Sequence, residues 1–525
     1  MSAPSLPAGR PTTRRTTTPV QAFPPWLVGA LVVYALVLAW AAFSNDTMAV
    51  AASAIGLAIM GAAAVFYRPN IGVLIIMSTM LVSYPDALKG SPPFTINNML
   101  GASLASILVW HLYQSRDYWF LREREIRMLL LIAAWFIAVS YISELYLPEK
   151  RLLPSVEVKG SLGRFYGTTD DSGRWMFELL SRVAFVIFFI HWIKTPDQLR
   201  TVLVVLAACI AAALPTLGGE IVAGETDYRI SSKSVGWAVN LNRFAFMMNV
   251  GIALFVYLGM TAKSVLSKTT FFGLAIASVP LVLLSASRSG FLGLGLVGLL
   301  LLRGQQVPRK WKIGTGFFAA ALFLLAFNFL LTDQHRERLL NLNPFAPAAS
   351  TDGSASAEGS RSTQVRTTTL SEAMTVISHY PVTGVGLANF RWVNAIMHGS
   401  YKPPHNSYVW SMAEGGIVGA ILYLTLFGAL YNRIQKLRPQ FTKHESLPFL
   451  PDFLHLYLIL LLFFSIFADV WLEVHVYFLV AFSVVLTRWA EEEELRGRGL
   501  PGTTAGTPGA RRAAARALYR PAPSA

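Results

Sequence analysis

The chain has 525 residues, of which 54% are hydrophobic and only 14% are charged. A soluble domain carries nearly twice that proportion of charge, so the composition excludes an ordinary soluble fold. Apolar runs of about 20 residues recur along most of the chain, and each is long enough to cross a bilayer. Because these runs lack the two-residue alternation of a membrane β-barrel, we predict an all-α, polytopic helical membrane protein.

The formal net charge of +15 does not indicate nucleic-acid binding. Most of the lysines and arginines fall in short loops and tails beside apolar runs, where they orient a membrane protein. The single cysteine, Cys209, lies inside a predicted span. A disulfide within the chain is therefore impossible, and a thiol-ligated metal site is not expected.

The chain divides into five predicted regions. Residues 1–25 form a disordered cytoplasmic N-terminus, 26–332 a bundle of about eleven spans, 333–407 a large periplasmic loop, 408–488 three further spans, and 489–525 a disordered cytoplasmic tail. The spans, about fourteen in all, are predicted at 26–43, 48–67, 70–88, 95–113, 126–146, 175–193, 200–222, 238–260, 269–286, 290–302, 313–332, 408–431, 450–468 and 470–488.

The distribution of positive charge predicts the topology of these spans. With the N-terminus in the cytoplasm, the basic loop residues fall on the same side of the membrane, among them Arg124, Lys194, Lys263, Arg303 and Arg438. The positive-inside rule requires this arrangement, so both termini are predicted to be cytoplasmic.

The largest loop on the opposite side has two predicted parts. Residues 346–369 are rich in Ser, Thr, Ala and Gly and are predicted to be flexible. From 364 to 378, apolar residues at Val365, Leu370, Met374 and Ile377 predict an amphipathic helix at the membrane surface. A long structured loop on the outer face indicates function.

Three arginines on the predicted outer side are candidates for binding a phosphorylated substrate. Arg288 lies between two apolar runs at the outer mouth of the bundle, where orientation does not need a positive charge. A guanidinium presents a rigid fork of donors to phosphate oxygens and stays charged. Arg229 and Arg366 follow the same reasoning. The alternatives are a snorkelling anchor for Arg288 and ordinary exposed residues for the other two.

His405 directly precedes the predicted span 408–431. Asn406 or Ser407 can cap this helix, whose N-terminus favours bound anions. A neutral histidine can accept a proton from a hydroxyl group. His405 is therefore a candidate general base, although an isolated loop histidine is more often without a catalytic role.

Glu414 is the carboxylate that we place deepest in a predicted span. Ser407, Ser411 and Glu414 share one helix face by their spacing, and Glu414 lies about 10 Å below the helix mouth. A buried carboxylate that fixes the bundle is the alternative to a catalytic role. Gly415 and Gly419 form a small-xxx-small pattern for close helix packing.

Other polar residues in the spans have a structural interpretation. Glu178 and Arg182, at positions i and i+4, are predicted to pair with each other, and Arg243 is predicted to be a partner inside the bundle. Asp469, Glu473 and His475 form a cluster at the last outer turn. No Asp-x-Asp pair is found on the outer face, and we expect neither a metal nor a cofactor.

Three motifs together resemble the O-antigen ligase and polymerase superfamily. Residues 284–290 are similar to its Ser-Arg-Ser/Gly-Gly motif, and residues 381–390 resemble its Pro-Leu-x-Gly-x-Gly-x-x-Asn-Phe signature, with Pro381, Gly384 and Gly386 in place. Residues 405–419 resemble the His-Asn-x(7)-Glu-x-Gly-x-x-Gly signature, with Asn406, Gly416 and Gly419 in place. Arg366 lies where the family has an arginine before the surface helix, and Arg229 is a looser match because the proline of a following Pro-Asn motif is missing.

The resemblance implies a GT-C-like membrane glycosyltransferase. Such an enzyme moves a glycan from an undecaprenyl-pyrophosphate carrier onto a glycan or lipid acceptor, at the outer face of the bacterial inner membrane. By this resemblance, Arg288, with Arg229 and Arg366, binds the donor diphosphate, His405 is the general base, and Glu414 orients the site. A flippase or a chain-length regulator would be a partner.

Two questions of function stay open at the level of sequence. About fourteen spans exceed the number in the compact ligases, which favours a polymerase, whereas the motifs are shared by both classes. A transporter or anion channel is an alternative of another class. Transporters place polar residues near the midplane in paired broken helices, but here they gather at the outer mouth.

Overall fold

A computed structural model describes residues 68–81, 96–116, 118–147, 171–212, 214, 241–285, 287–303, 355–441, 447–470 and 473–497. Within these ranges the regular structure is helical. The thirteen described α-helices are α1 (Pro69–Leu81), α2 (Ile96–Ser115), α3 (Arg124–Ser143), α4 (Asp171–Trp192), α5 (Pro196–Ala211), α6 (Leu241–Thr261), α7 (Val265–Leu284), α8 (Arg288–Arg303), α9 (Ala355–His379), α10 (Phe390–His398), α11 (Ser407–Phe441), α12 (Leu450–Ser465) and α13 (Val474–Gly497).

Several of these helices have the length and composition of membrane spans. Six are long and apolar enough to cross a bilayer, namely α3, α4, α6, α7, α11 and α13, and two shorter apolar helices lie in α1 and α12. The prediction of a polytopic helical membrane protein is therefore confirmed. The predicted spans at 26–43, 48–67 and 313–332 lie outside the described residues.

Local sequence explains where several helices begin. Thr195 accepts a hydrogen bond from the backbone N–H of Gln198, whose side chain in turn accepts from Thr195, and Pro196 follows at the first helical position of α5. Asn406 caps α11, since its side-chain oxygen accepts the N–H groups of Tyr408 and Val409, both at 3.0 Å. The predicted cap at the start of this span is confirmed at Asn406.

Two helices form the centre of the bundle. α6 is buried along most of its length and packs on α7, α8 and α12, while α11 packs on α3, α9, α12 and α13. The predicted pair between Glu178 and Arg182 is also confirmed, as a salt bridge within α4.

The bundle has two chemically different ends. One, which we call the basic end, gathers Lys194, Arg433, Arg438 and Arg488, where Arg433 bonds Glu123 beside the start of α3 and the Trp489 indole donates to the Lys194 carbonyl. The other, the motif end, contains the starts of α4, α6, α8, α11 and α13. The described spans run between these two ends, so the basic residues named here lie at one end of the bundle, in agreement with the predicted charge pattern.

The structure corrects one prediction in the loop before α10. Residues 346–369 were predicted to be flexible, but α9 begins at Ala355, so the prediction is wrong from that residue on. α9 buries Thr369, Ala373, Val376 and Ile377 against its neighbours and leaves Leu370 and Met374 exposed, so the location of this helix at the membrane surface stays a prediction. Alanine and threonine allow close helix packing, which a count of large apolar residues does not reveal.

Candidate active site

A loop before α10 is inserted into a break in α11. The break is at Gly416, whose φ of 64° and ψ of −169° interrupt the helix. The loop supplies the missing backbone partners: Val385 N–H donates to the Ala413 carbonyl and Gly386 N–H to the Glu414 carbonyl, both at 2.9 Å. In the opposite direction, Ile417 N–H donates to the Pro381 carbonyl at 2.9 Å. Two segments about thirty residues apart thus form one unit, which satisfies backbone groups that lipid could not.

Glycine is required both in the inserted loop and at the break in α11, and we call this contact between the two segments the interlock. A Cβ at Gly416 would overlap the Val382 carbonyl oxygen, and a Cβ at Gly384 would lie 2.5 Å from the Glu414 carbonyl carbon. Both glycines have positive φ, which other L-residues adopt only at a cost. Gly415 serves helix packing as predicted, because a Cβ there would lie 2.5 Å from the Phe136 ring of α3.

Asn389 fixes the other end of the inserted loop. Its side-chain amide donates to the Val385 carbonyl at 2.9 Å and to the Ser143 hydroxyl at 3.2 Å. The Ser172 hydroxyl donates to Asn389 Oδ1 at 3.0 Å, and the Tyr146 hydroxyl donates to the Gly384 carbonyl at 2.6 Å. These supporting hydroxyl groups could not be identified from the sequence, since serine and tyrosine at a helix end give no distinctive signal.

His405 lies at the motif end, directly before α11, with an unusual backbone conformation. Its φ is 51°, a left-handed value that is uncommon for a residue other than glycine. Its Nδ1 lies 3.1 Å from Oδ2 of Asp469, and the histidine side chain is 29% exposed whereas the aspartate is 5% exposed. Strained backbone that persists beside a buried carboxylate is typical of functional sites.

Ser407 holds residues 468–470, which we call the aspartate loop, against the start of α11. Its hydroxyl donates to the Ala468 carbonyl at 2.7 Å and accepts the Val470 N–H at 2.8 Å. Asp469, between these two residues, is thereby held beside His405. The sequence predicts Asp469 in a cluster at the last outer turn, and the structure adds its contact with His405.

The start of α8, which carries Arg288, is tied to α6. The hydroxyl groups of Ser287 and Ser289 donate to Oδ1 of Asn242 at 2.8 and 3.2 Å. A Cβ on Gly290 would lie 2.5 Å from Cβ of Ala245, so the two helices touch here. The Ser-Arg-Ser-Gly motif therefore fixes the helix start, and the half-buried Arg288 is its first residue.

Arg243 connects α6 to the aspartate loop. Its guanidinium donates to the Asp469 carbonyl at 2.8 Å and forms an ion pair with Glu473, also at 2.8 Å. Arg243 was predicted to be a structural partner inside the bundle, and these contacts agree with that prediction. The contacts from Asn242 and Arg243 bring the Arg288 motif and the His405 motif to one end of the bundle.

Glu414 is fully enclosed by protein. Its side chain is 1% exposed, and its Oε1 accepts the Trp410 indole N–H at 2.7 Å. The main chain at Ala388 and Phe390 also hydrogen-bonds the carboxylate, next to the start of α10. Ser407 and Ser411 share its buried face, as the spacing predicted. These contacts fasten α10 to α11, so the geometry favours the structural alternative, and a catalytic role for Glu414 stays a prediction.

The other predicted diphosphate ligands are only partly placed. Arg229 lies outside the described residues. Arg366 is half-buried in α9, a helix that packs on α10 and α11. Within the described ranges, no three side chains of His, Cys, Asp or Glu lie close enough together to hold a metal ion. The expected independence of a metal stays a prediction.

One comparison with known proteins bears on this arrangement. Residues 272–424 match a family model described as O-Antigen ligase. The match spans α7 to the middle of α11, and it contains Arg288, Arg366, His405 and Glu414. No curated protein matches the chain at a significant level.

Proposed function

We propose that the chain is a glycosyltransferase of the O-antigen ligase and polymerase superfamily, which acts in the synthesis of surface polysaccharide; the match of residues 272–424 to a family model described as O-Antigen ligase supports this proposal. The protein transfers a glycan from undecaprenyl pyrophosphate to an acceptor hydroxyl, with inversion and without a metal ion, at the periplasmic face of the bacterial inner membrane. The observation that carries this proposal is the contact between His405 and the buried Asp469 at the mouth of α11.

The contact with Asp469 prepares His405 for proton transfer. When Nδ1–H of His405 donates to the Asp469 carboxylate, the other ring nitrogen, Nε2, is left as the acceptor. With 29% of its side chain exposed, His405 can reach an acceptor hydroxyl, while the aspartate stays buried behind it. The aspartate also stabilises the imidazolium that forms.

Arg288 supplies the charge for the leaving group. As the first residue of α8, it lies at a helix N-terminus, where free N–H groups and the helix dipole also favour an anion. A bidentate guanidinium can stabilise negative charge as it develops on the diphosphate. Arg229 and Arg366 are proposed as further ligands on the strength of the motif alone.

The step balances without a further reactant. The acceptor oxygen attacks the anomeric carbon and forms a new glycosidic bond while the carbon–oxygen bond to the diphosphate breaks. The hydroxyl proton passes to Nε2 of His405, and the electron pair of the broken bond leaves with the diphosphate. In this step Glu414 is a positioning residue, which keeps α10 against α11 beside the reacting groups.

Within the superfamily we favour a polymerase that extends a chain of repeat units, because of the predicted number of spans. The second candidate is a ligase that transfers the finished polymer to lipid A–core or another acceptor. A flippase that delivers the donor, and a regulator of chain length, are the expected partners.

The test uses a deletion strain complemented with the wild-type chain or with single variants. Glycans on the cell surface and on the lipid carrier are compared by gel ladder and mass spectrometry. Surface product stopped at one repeat unit identifies a polymerase, and full polymer stranded on the carrier identifies a ligase. An unchanged glycan profile in the deletion strain overturns the proposal and favours transport.

The variants test the residues. We expect His405→Ala to lower transfer by about 10²- to 10⁴-fold, the usual contribution of a positioned base. Arg288→Lys keeps the positive charge but loses the planar guanidinium with its paired N–H donors, so this variant should also show low transfer activity. His398→Ala is the matched control, since His398 is an exposed histidine at the end of α10, seven residues before His405. Full activity of His405→Ala at normal membrane levels contradicts the general-base assignment.

A further inference from the structure

Asn242, in the first turn of α6, is the common partner of the two serines that flank Arg288. Its side-chain oxygen, Oδ1, accepts the Ser287 hydroxyl at 2.8 Å and the Ser289 hydroxyl at 3.2 Å. Both serines are buried. Buried hydroxyl groups need a protein partner, because water is not at hand to replace it. Asn242 therefore fixes the backbone on each side of Arg288.

The same contacts extend into the cap of α8. The Ser287 hydroxyl oxygen accepts the Gly290 N–H at 3.1 Å while the hydroxyl itself donates to Asn242. A serine directly before a helix satisfies an N–H group that the first turn would otherwise leave without a partner. Arg288, the first residue of α8, lies between this cap and Ser289. The direction of its side chain is therefore set by a helix start that Asn242 holds.

α6 provides a fixed base for these contacts. Among the described residues, it is the most deeply buried of the six span candidates. The residue after Asn242 is Arg243, which holds the aspartate loop through the Asp469 carbonyl at 2.8 Å. Two consecutive residues of α6 thus hold the segments that carry Arg288 and the carboxylate partner of the proposed base. A displacement of about 1 Å between reacting groups can cost about 10²-fold in rate.

The attachment of α8 to α6 has a second hydrogen bond, which does not involve the serines. Asn249 lies about two turns further along α6 and is buried. Its side-chain amide donates to the Gly290 carbonyl at 3.1 Å and to the Ala245 carbonyl at 2.8 Å. Asn249 therefore fastens the two helices, whereas Asn242 holds the residues on either side of Arg288.

We propose that Asn242 is a positioning residue for glycosyl transfer, which acts through Ser287 and Ser289 to hold Arg288 at the leaving diphosphate. The inference rests on the proposed function and deepens it, since Asn242 lies outside residues 272–424, which match the family model. A guanidinium stabilises charge that develops on the diphosphate only when it is already in place. Asn242 itself contacts no reacting atom in this step.

A double-mutant cycle tests whether Asn242 acts through Arg288. Transfer per folded molecule is measured for Asn242→Ala, Arg288→Lys and the double variant, where lysine is used because it keeps the positive charge. We expect Asn242→Ala to lower transfer about tenfold in the wild-type background and less than about twofold beside Arg288→Lys, since residues that share one network are not additive. An equal loss in the two backgrounds overturns the proposal, because Asn242 would then act independently of Arg288.

Two further variants separate positioning from packing. Asn249→Ala is the matched control, since it removes a side-chain hydrogen bond between the same two helices, and it should transfer like the wild type per folded molecule. Ser289→Ala is a smaller change than Asn242→Ala and removes one of the two hydroxyl donors, so transfer should fall about threefold. Equal losses of transfer in Asn242→Ala and Asn249→Ala would assign Asn242 to helix packing alone.

Hydrogen exchange of the full chain in nanodiscs gives a measurement that needs no glycan. Asn242→Ala should accelerate exchange of the amide groups at residues 288–291 much more than Asn249→Ala does, because the start of α8 opens more often. Unchanged exchange there in Asn242→Ala overturns the proposal whether or not transfer is detected. A wild-type chain that transfers no glycan refutes the proposed function and with it the role of Asn242 in transfer, and this result is distinct from unchanged exchange.

Discussion

At the basic end of the bundle, Arg433 bonds Glu123 and Glu125 at 2.9 and 2.7 Å, whereas at the motif end Arg243 bonds the main chain of Asp469 as well as Glu473. The charged groups of the basic end join the ends of regular helices. Those of the motif end hold irregular loops in place, and one of these loops presents a carboxylate to His405. The same types of residue therefore fasten helices at one end and shape a site at the other.

The two halves of α11 repeat this contrast within one helix. The half near the motif end is broken at Gly416 by the inserted loop, while the half near the basic end is regular, and a Cβ added to Gly428 there would meet nothing within 4 Å. Gly416, in the first half, is needed because its backbone conformation is one that other residues rarely adopt. Gly428, in the second half, is replaceable because an added Cβ has open space.

The largest effect is therefore expected from Gly416→Ala. The added Cβ would meet the Val382 carbonyl, and a φ of 64° with a ψ of −169° is a backbone conformation that is essentially restricted to glycine and costs about 1–3 kcal/mol before any clash. We expect loss of transfer together with a marked loss of thermal stability. Gly428→Ala is the control on the same helix and should retain both. Thermal unfolding of the purified proteins checks this, and equal stability of the two variants would mean that the interlock is not required.

The next effect concerns the basic end. Arg433→Leu leaves Glu125, which is 2% exposed, without its partner, and breaking such a buried pair costs about 3 kcal/mol. We expect a lower unfolding temperature but unchanged transfer per folded molecule, because this cluster lies at the end opposite His405. Transfer that falls more steeply than the amount of folded protein would show that the basic end also takes part in the reaction.

Asp469→Asn, at the motif end, should lower transfer and leave stability nearly unchanged, which is the opposite of the result expected for Arg433→Leu. The amide keeps the shape of the side chain but neither holds Nδ1–H of His405 as well nor stabilises its charged form, so transfer should fall by about 10²-fold. Stability should change little, since the main-chain contacts of this loop come from Ser407 and Arg243. Transfer by membranes that contain equal amounts of the wild-type and variant proteins measures this effect. A normal rate in Asp469→Asn removes Asp469 from the mechanism.

Some of this organisation could be predicted from the sequence. Hydrophobic runs predicted where most of the described helices begin to within several residues, because the bilayer imposes their length and composition, although α11 and α13 extend beyond the predicted spans. The distribution of basic residues predicted which loops lie together. His405 and Asn406 were found because a helix start has its own local chemistry, and Glu178 and Arg182 because their spacing puts them on one helix face.

What could not be predicted depends on contacts between distant segments. Neither periodicity nor propensity indicates that the loop at Gly384 enters α11 at Gly416, since the two positions meet only in the folded chain. Asp469 lies 64 residues after His405, and only tertiary structure pairs them. The face of α9 that packs on its neighbours could not be predicted either, because alanine and threonine, which fit against a neighbouring helix, do not stand out as apolar residues.

The smallest effect concerns the pH dependence of stability at Glu473, which lies between α12 and α13. Burial raises the pKa of Glu473, but Arg243, with Arg182 and His475, outweighs burial and holds the pKa below its ordinary value, against a small opposing effect of Asp469. A carboxylate whose pKa is lowered on folding contributes stability above its unfolded pKa of about 4.3, and the contribution is lost as the pH falls through the folded value.

In Arg243→Gln the largest opposing charge is gone, so burial weighs more and the pKa of Glu473 should rise. With a raised pKa, Glu473 contributes more to the stability of the folded state at low pH and less as the pH rises. The gap in unfolding temperature between wild type and variant should therefore be wider at pH 7 than at pH 4. Since the Glu473 side chain is 24% exposed, solvent screens the pair and the change should be modest. An equal difference in unfolding temperature at both pH values would show that Arg243 stabilises the fold only through its hydrogen bond to the Asp469 carbonyl. The motif end would then differ from the basic end in its ion pairing.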